Sequence, residues 1–433
     1  MWVTPAGLHD DARLGVPLGA SRGAGTPPRS RRLDMIGVQP IHHLGASVKI
    51  RVERDVLADA VQWVARSLPN RPSVPILAGL RIEASGAEVV LSTFDYETSA
   101  KVTVLADVTD DGVALVSGRL LADIARSLPA KPVDLISDDS RLEIICGSAR
   151  FTLQLLPVAE YPDLPAMPAS TGTLTPDVFA QAVSQVVVAA GRDELLPVFT
   201  GVRLEIDGDT LSLLATDRYR MALKELPWSP TSSTADAAAL VPARVLSESS
   251  KSMTAGEKIS LSLAAAEAGD GLIGFEGEGG NGVRQITTRL LDGEFPKVRH
   301  LMNVQPTLTV RANTSEVVAA VKRVALVAER NTSLRMMIEA DHLTFEAATG
   351  DQAQAVEAVE ASVVDETGNG LAMNAAGFNP HYLLDALNAL DTPYVNFAFT
   401  APGKPCLLTP LVEIDGTPLT DYKHVIMLMR LPQ

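Results

Sequence analysis

The sequence predicts an α+β protein of three repeated domains, each with two helices packed on antiparallel sheet. Three observations predict it. A helical phrase, Ala182-Val183-Ser184-Gln185-Val186, has counterparts in Ala60-Val61-Gln62-Trp63-Val64 and Ala320-Val321-Lys322-Arg323-Val324. Each copy has an apolar residue three positions upstream, Leu57, Phe179 and Val317, which is the spacing of one apolar stripe on a helix. A second helical phrase follows each copy, at Leu120-Leu121, Val245-Leu246 and Leu383-Leu384, and the intervals Leu57–Leu121, Phe179–Leu246 and Val317–Leu384 are 64, 67 and 67 residues. A spacing kept this closely marks a repeated unit.

Length and composition agree. A chain of 433 residues exceeds one ordinary domain, and about three is the expectation. Hydrophobic residues make up 46% and aromatics 4%, so the cores are aliphatic. The net charge of −15 argues against holding nucleic acid by bulk attraction but allows basic residues gathered on one face. Cys146 and Cys406 lie far apart and read as buried reduced thiols of a cytoplasmic protein. No run of 18 apolar residues suggests a membrane span.

Residues 1–46 stand outside the repeat. They are rich in Gly, Pro and Arg and include Arg29-Ser30-Arg31-Arg32, which reads as a disordered extension, with Met35 as an alternative start. Domain I, 47–169, begins with the alternating strand Val48–Val52. Its first helix stops at Pro69 and Pro72. A hairpin turns at Ser85-Gly86, and the second helix runs from Gly118 to Pro129. The four prolines of Pro157–Pro168 form a linker. Domain II, 170–305, opens its helix with Thr175 as N-cap and Pro176 at the first position. Its strand Gly201–Glu205 repeats Gly79–Glu83, and Gly277–Gly282 reads as a flexible hairpin tip. Domain III, 306–433, carries the third helical phrase, a helix over Pro380–Leu390 and a last strand over Val425–Leu431.

No catalytic constellation is present in the sequence. The seven histidines are scattered without zinc spacing. The Gly-rich stretch lacks the Lys-Ser/Thr ending of a phosphate loop, and Asp138-Asp139 and Asp110-Asp111 sit in turn contexts. No cofactor or metal is expected. The basic residues are more informative. Arg66, Arg126, Lys131, Arg192, Arg244, Lys251, Lys322, Arg323 and Arg330 fall on or beside the helices, so a helical surface less negative than the rest would suit a polyanion.

Over residues 47–433 the chain resembles the bacterial DNA polymerase III beta subunit, the beta sliding clamp. The resemblance rests on Ala215-Thr216-Asp217-Arg218-Tyr219-Arg220-Met221-Ala222, Leu291-Asp292-Gly293-Glu294-Phe295-Pro296 and Met427-Leu428-Met429-Arg430-Leu431, together with the repeat. It implies the DNA clamp fold, with two chains pairing head to tail as a homodimeric ring around double-stranded DNA. It also implies a non-enzymatic processivity factor for replicative and repair polymerases and the clamp loader. The family's pocket between domains II and III takes short peptide motifs. The matching positions are Phe199, Thr216, Arg218, Tyr219, Arg220, Met221, Pro296, Leu301, Val425, Ile426, Met427, Leu428, Met429 and Arg430. Arg71 matches a DNA-contacting arginine after the first helix, and Arg126, Arg192, Lys251, Lys322 and Arg323 complete an expected DNA-facing set. Two positions depart from the family's usual pattern. Leu428 stands where Pro is usual, and Leu196 where some members carry Arg. A second clamp copy with an altered, inhibitor-tolerant pocket is the alternative within the fold; an enzyme on repeats is the alternative outside it.

Overall fold

The computed structural model describes residues 47–431 except 233–235, 265–270, 330–331, 351 and 369–372. The extension 1–46, Arg330 and Pro432-Gln433 lie outside the described residues. Among those described, the helices are α1 (Arg54–Ala65), α2 (Gly118–Ser127), α3 (Pro176–Val187), α4 (Ala243–Ser252), α5 (Thr314–Val324) and α6 (Pro380–Leu390). The stripe positions of the repeat are their buried faces: Leu57, Ala60, Val61 and Val64 on α1, Phe179, Ala182, Val183 and Val186 on α3, and Val317, Ala320, Val321 and Val324 on α5.

One register is corrected. Leu121, Leu246 and Leu383 are the fully buried members of the second phrase, and Leu384 is only partly buried. Asn379 sets this phase by accepting the His381 and Tyr382 N–H groups ahead of Pro380. A periodicity count cannot distinguish adjacent leucines; the cap does. Asn313 caps α5 in the same way, from the Glu316 N–H at 3.1 Å. Thr175 occupies the N-cap position of α3, but its side chain makes no capping bond there.

Each repeat supplies a four-stranded and a five-stranded sheet, and the sheets cross from one repeat into the next. Strand Thr98–Leu105 of the first repeat pairs antiparallel with Gly282–Arg289 of the second, making a nine-stranded sheet. Strand Arg220–Pro227 of the second pairs with Tyr422–Ile426 of the third, making a twelve-stranded sheet. A five-stranded sheet in the first repeat ends at Ala149–Gln154. The last strand stops at Ile426; residues 427–431 continue outside it, held by an isolated bridge from Met429 to Gly377. The repeat extends into the linkers. Glu160-Tyr161-Pro162 matches Glu294-Phe295-Pro296, and both aromatics are buried. The Phe94 N–H donates to the Tyr161 hydroxyl at 2.7 Å. Cys146 and Cys406 are free and buried, and burial pushes the Cys406 thiol well above its usual range.

The Gly-rich hairpin is packed, contrary to the expectation of a flexible tip. Its strands Leu272–Gly279 and Gly282–Arg289 are fully paired, and its turn sits between α1 and α4. A Cβ on Gly279 would lie 2.0 Å from the Ser252 carbonyl oxygen, and one on Gly280 2.0 Å from the Asp59 carboxylate. Arg284 fixes the same place. Its guanidinium donates to the Ser252 carbonyl and to Asp59, each at 2.7 Å, and lies 5.2 Å from the Trp63 ring. Glycine is therefore required at Gly279 by close approach, and at Gly280 by close approach together with a positive φ.

Gly280 and Gly86 both have positive φ, but nothing lies within 4 Å of a Cβ on Gly86. Gly86→Ala should cost about 1 kcal/mol, the backbone penalty alone. Gly280→Ala should cost about 3 kcal/mol, because the clash adds to it. Urea unfolding midpoints of the two variants check the difference.

Candidate binding cleft and helical face

A cleft of about 560 Å³ opens between the end of α3, the turn Asp217–Arg220 and the first turns of α6. The turn is built by side chains that replace backbone partners. The Asp217 carboxylate accepts the Tyr219 and Arg220 N–H groups, each at 3.0 Å, and the Arg220 Nε at 3.0 Å. The Thr216 hydroxyl donates to the Arg220 carbonyl at 2.8 Å and accepts the Arg218 N–H at 3.2 Å. Arg218 takes φ +80° in consequence. The Arg218 and Tyr219 side chains are thereby exposed while Arg220 turns inward.

Arg220 is the pivot of the wall. It donates to Asp385 of α6 at 2.5 Å and lies 4.4 Å over the Tyr382 ring. Tyr382 stacks with Tyr219 at 6.5 Å between centroids, and the Arg218 guanidinium sits 5.6 Å from Phe199. Each such cation–ring contact is worth about 0.5–2 kcal/mol. Burial, then the Asp217 charge, raises the Tyr382 phenol above its ordinary pKa, so it is a neutral hydrogen-bonding ring at neutral pH.

Beside this wall lies an apolar floor. Leu214, Met221, Leu240, Phe295, Met302 and Val425 form a separate buried cluster, and Val198, Leu301 and Met427 pack on it half-exposed. A second hollow of about 410 Å³ adjoins Leu214, Phe295, Pro296 and Val298.

The structure thus brings the expected cleft residues to one region but sorts them into different situations. Phe199, Arg218, Tyr219, Pro296, Leu301, Met427, Met429 and Arg430 offer surface. Thr216, Arg220, Met221 and Val425 are buried supports. Ile426 is buried in the main core, and Leu428 packs on that core instead of the cleft cluster, because alternate residues of an extended chain point to opposite sides. Arg192, expected to face DNA, lines the cleft together with Leu196 because the chain turns away from the helix after α3. Arg323 is held by Glu357, with Nε 2.8 Å from the carboxylate, and so leans toward strand Ala353–Asp365. Arg71, Arg126, Lys251 and Lys322 are exposed without an ion-pair partner among the described residues. Tyr382 and Asp385 were not foreseen. They sit three apart on the unburied side of α6, a spacing that signals a shared helix face but not what lies opposite it.

The chain matches the DNA polymerase III beta subunit in three consecutive parts: the N-terminal domain over 48–165, the central domain over 173–297 and the C-terminal domain over 301–430. The chain belongs to this family. It is similar to the beta sliding clamp of Streptomyces coelicolor, with 50% identity over 89% of this chain and all of that one. It is 38% identical to the beta sliding clamp homolog GriR of Streptomyces muensis, over 88% of this chain and 99% of that one. The same fold is found in the Bacillus subtilis sliding clamp (TM-score 0.79, 23% identity) and the Pseudomonas aeruginosa clamp bound to griselimycin (TM-score 0.78, 23% identity), each covering 89% of this chain and 100% of the other. The clamp is accordingly a processivity factor of DNA replication and not an enzyme, from a family that binds DNA and polymerases. None of its described helices is long and apolar enough to cross a membrane.

Beneath the clamp's cleft runs a buried polar chain. The Gln185 amide donates to the Ala389 carbonyl at 2.9 Å, and the Tyr422 hydroxyl donates to the Gln185 carbonyl at 3.1 Å. His424 Nδ1 lies 2.9 Å from that hydroxyl, and its Nε2 has no partner. Burial, then the Arg220 charge, pushes His424 down to about 3. Between that value and the unfolded value near 6.5, the unfolded chain binds a proton that the folded chain refuses. Stability is full above about pH 6.5 and falls as pH drops. Lowering the pH from 7.5 to 5 should cost about 2 kcal/mol through this residue. His424→Gln should remove that part of the decline, as read from urea unfolding of both proteins at the two pH values.

Proposed function

We propose that two copies of the chain close head to tail around duplex DNA, and that the cleft between α3 and α6 takes short peptide motifs of replicative and repair polymerases and of the clamp loader. The observation that carries the ring is the pair of strand edges left over. Within the chain, each junction joins the four-stranded sheet of one repeat to the five-stranded sheet of the next. The five-stranded sheet of the first repeat keeps Ala149–Gln154 open, and the four-stranded sheet of the third keeps the Ala353–Glu360 part of its long strand open. Two heterologous contacts of that kind close a ring without open edges. Leu326 is 84% exposed and Leu120 49% exposed. They hold the repeat positions of Arg66 and Val245, which line the seam between the first two repeats. Encirclement retains DNA by topology, so it is compatible with a net charge of −15, and the unpaired cations on the helices then meet phosphates weakly.

The cleft supports peptide binding through its aromatic wall and methionine-bearing floor, which adapt to varied side chains. Leu428, partly buried, packs against the main core and not the cleft cluster, and identity is higher to the S. coelicolor clamp than to GriR. Both favour the housekeeping clamp over the specialised copy.

The protein loaded on nicked circular DNA should stay bound and should leave once the circle is cut; retention on linear DNA counts against the ring. Tyr219→Ala should weaken binding of a labelled peptide from the organism's own replicative polymerase by about tenfold or more, measured by fluorescence anisotropy, with unchanged dimer mass.

A further inference from the structure

The chain that leaves each repeat is pinned to the same point of that repeat's edge strand. The edge strands are Gly112–Ser117, Asp236–Pro242 and Ala375–Phe378. Leu115, Leu240 and Gly377 are equivalent within them. Each stands opposite an arginine of the neighbouring strand, Arg81, Arg203 and Arg335. Each also stands six residues before the buried leucine of the second helix, Leu121, Leu246 and Leu383. The Leu115 carbonyl accepts the Leu156 N–H at 2.7 Å, the Leu240 carbonyl the Leu291 N–H at 2.8 Å, and the Gly377 carbonyl the Met429 N–H at 2.8 Å. Residues 427–431 are thus the third copy of a strap whose first two copies are the linkers between repeats.

The third copy differs beneath the pin. Leu115 and Leu240 place buried side chains there. Gly377 places none, and the Leu431 side chain of the strap comes down on it. A Cβ on Gly377 would lie 2.7 Å from the Met429 carbonyl oxygen and 3.0 Å from Leu431 Cδ2, and its three nearest atoms all belong to the strap. The φ of Gly377 is outside the left-handed region, so the strand itself accepts alanine and only the strap opposes it.

The same strap reaches the cleft. The Met427 N–H donates to the Tyr219 carbonyl at 2.8 Å, and the Met427 side chain packs half-exposed on the apolar floor. One pin is therefore the Asp217 turn and the other is Gly377. The second lies two residues ahead of Asn379, the cap of the helix that carries Tyr382 and Asp385, so the strap and the cleft wall share one anchor.

We propose that Gly377 is a positioning residue for peptide binding. Its missing side chain admits Leu431, and Leu431 seated there holds Met427 and Met429 beside the cleft. This rests on the peptide-binding reading above and assigns what shapes that site.

Anisotropy of the labelled polymerase peptide on the full chain tests it. Gly377→Ala lifts the strap and should raise the peptide dissociation constant about tenfold, and Leu431→Ala about fivefold. Leu431 is only partly buried, so its truncation leaves the fold intact. Both changes act through one seat, so the double variant should bind no more than about twofold worse than Gly377→Ala alone. Gly280→Ala, strained at the other inner border, should lose stability in urea and keep the parent's peptide affinity. Either single variant binding as the parent does, a double variant whose losses multiply, or a Gly280→Ala protein as weak as Gly377→Ala overturns the strap. A parent protein that binds no such peptide overturns the peptide reading instead.

Discussion

The constraint on which the rest of this structure depends is that backbone N–H and C=O groups at a sheet edge need partners. The chain meets it by running its sheets through the borders between repeats, with Gly282–Arg289 on Thr98–Leu105 and Tyr422–Ile426 on Arg220–Pro227. A ladder of that kind fixes the angle between repeats and aligns the helices on one side. It also creates the cleft. The Asp217 turn leads directly into a junction strand, so its exposed tip must meet the helix that the next repeat brings alongside, which is α6 with Tyr382 and Asp385.

Equivalent junctions carry different chemistry in the same slots. Between the first and second repeats the paired residues Ser99 and Thr287 are buried and polar; between the second and third the same places hold Met221 and Val425. The first arrangement satisfies itself with hydroxyls and an arginine pinned against Trp63. The second leaves an apolar floor that only another apolar group can cover. That difference, and not the fold, places the aromatic cleft at one border of the two.

The architecture was legible because apolar periodicity and repeat spacing are local signals, and the Thr216–Arg220 turn was legible because its side chains satisfy neighbouring backbone groups. What escaped was decided by long-range packing. The choice of Leu383 over Leu384 depends on a cap, the participation of Asp385 depends on a helix that lies 165 positions from its partner Arg220, and the tight seating of the Gly-rich hairpin depends on two helices from different repeats. Arg192 and Arg323 illustrate the same limit. Both were expected among the DNA-facing cations, yet one lines the cleft and the other is drawn to Glu357. Leu428 departs from the family pattern at a conspicuous place, but its partly buried side chain packs against the core beneath.

The continuity of the sheets has a mechanical meaning. Bending the chain at either inner border would require shearing a strand ladder together with a buried side-chain lock, Arg284 at one border and the Tyr422–Gln185 chain at the other. Each chain is therefore stiff at its inner borders, and in the proposed ring the compliance is concentrated at the seams between subunits. A force that spreads the ring does its work there, where exposed side chains and a single pair of edges carry the load.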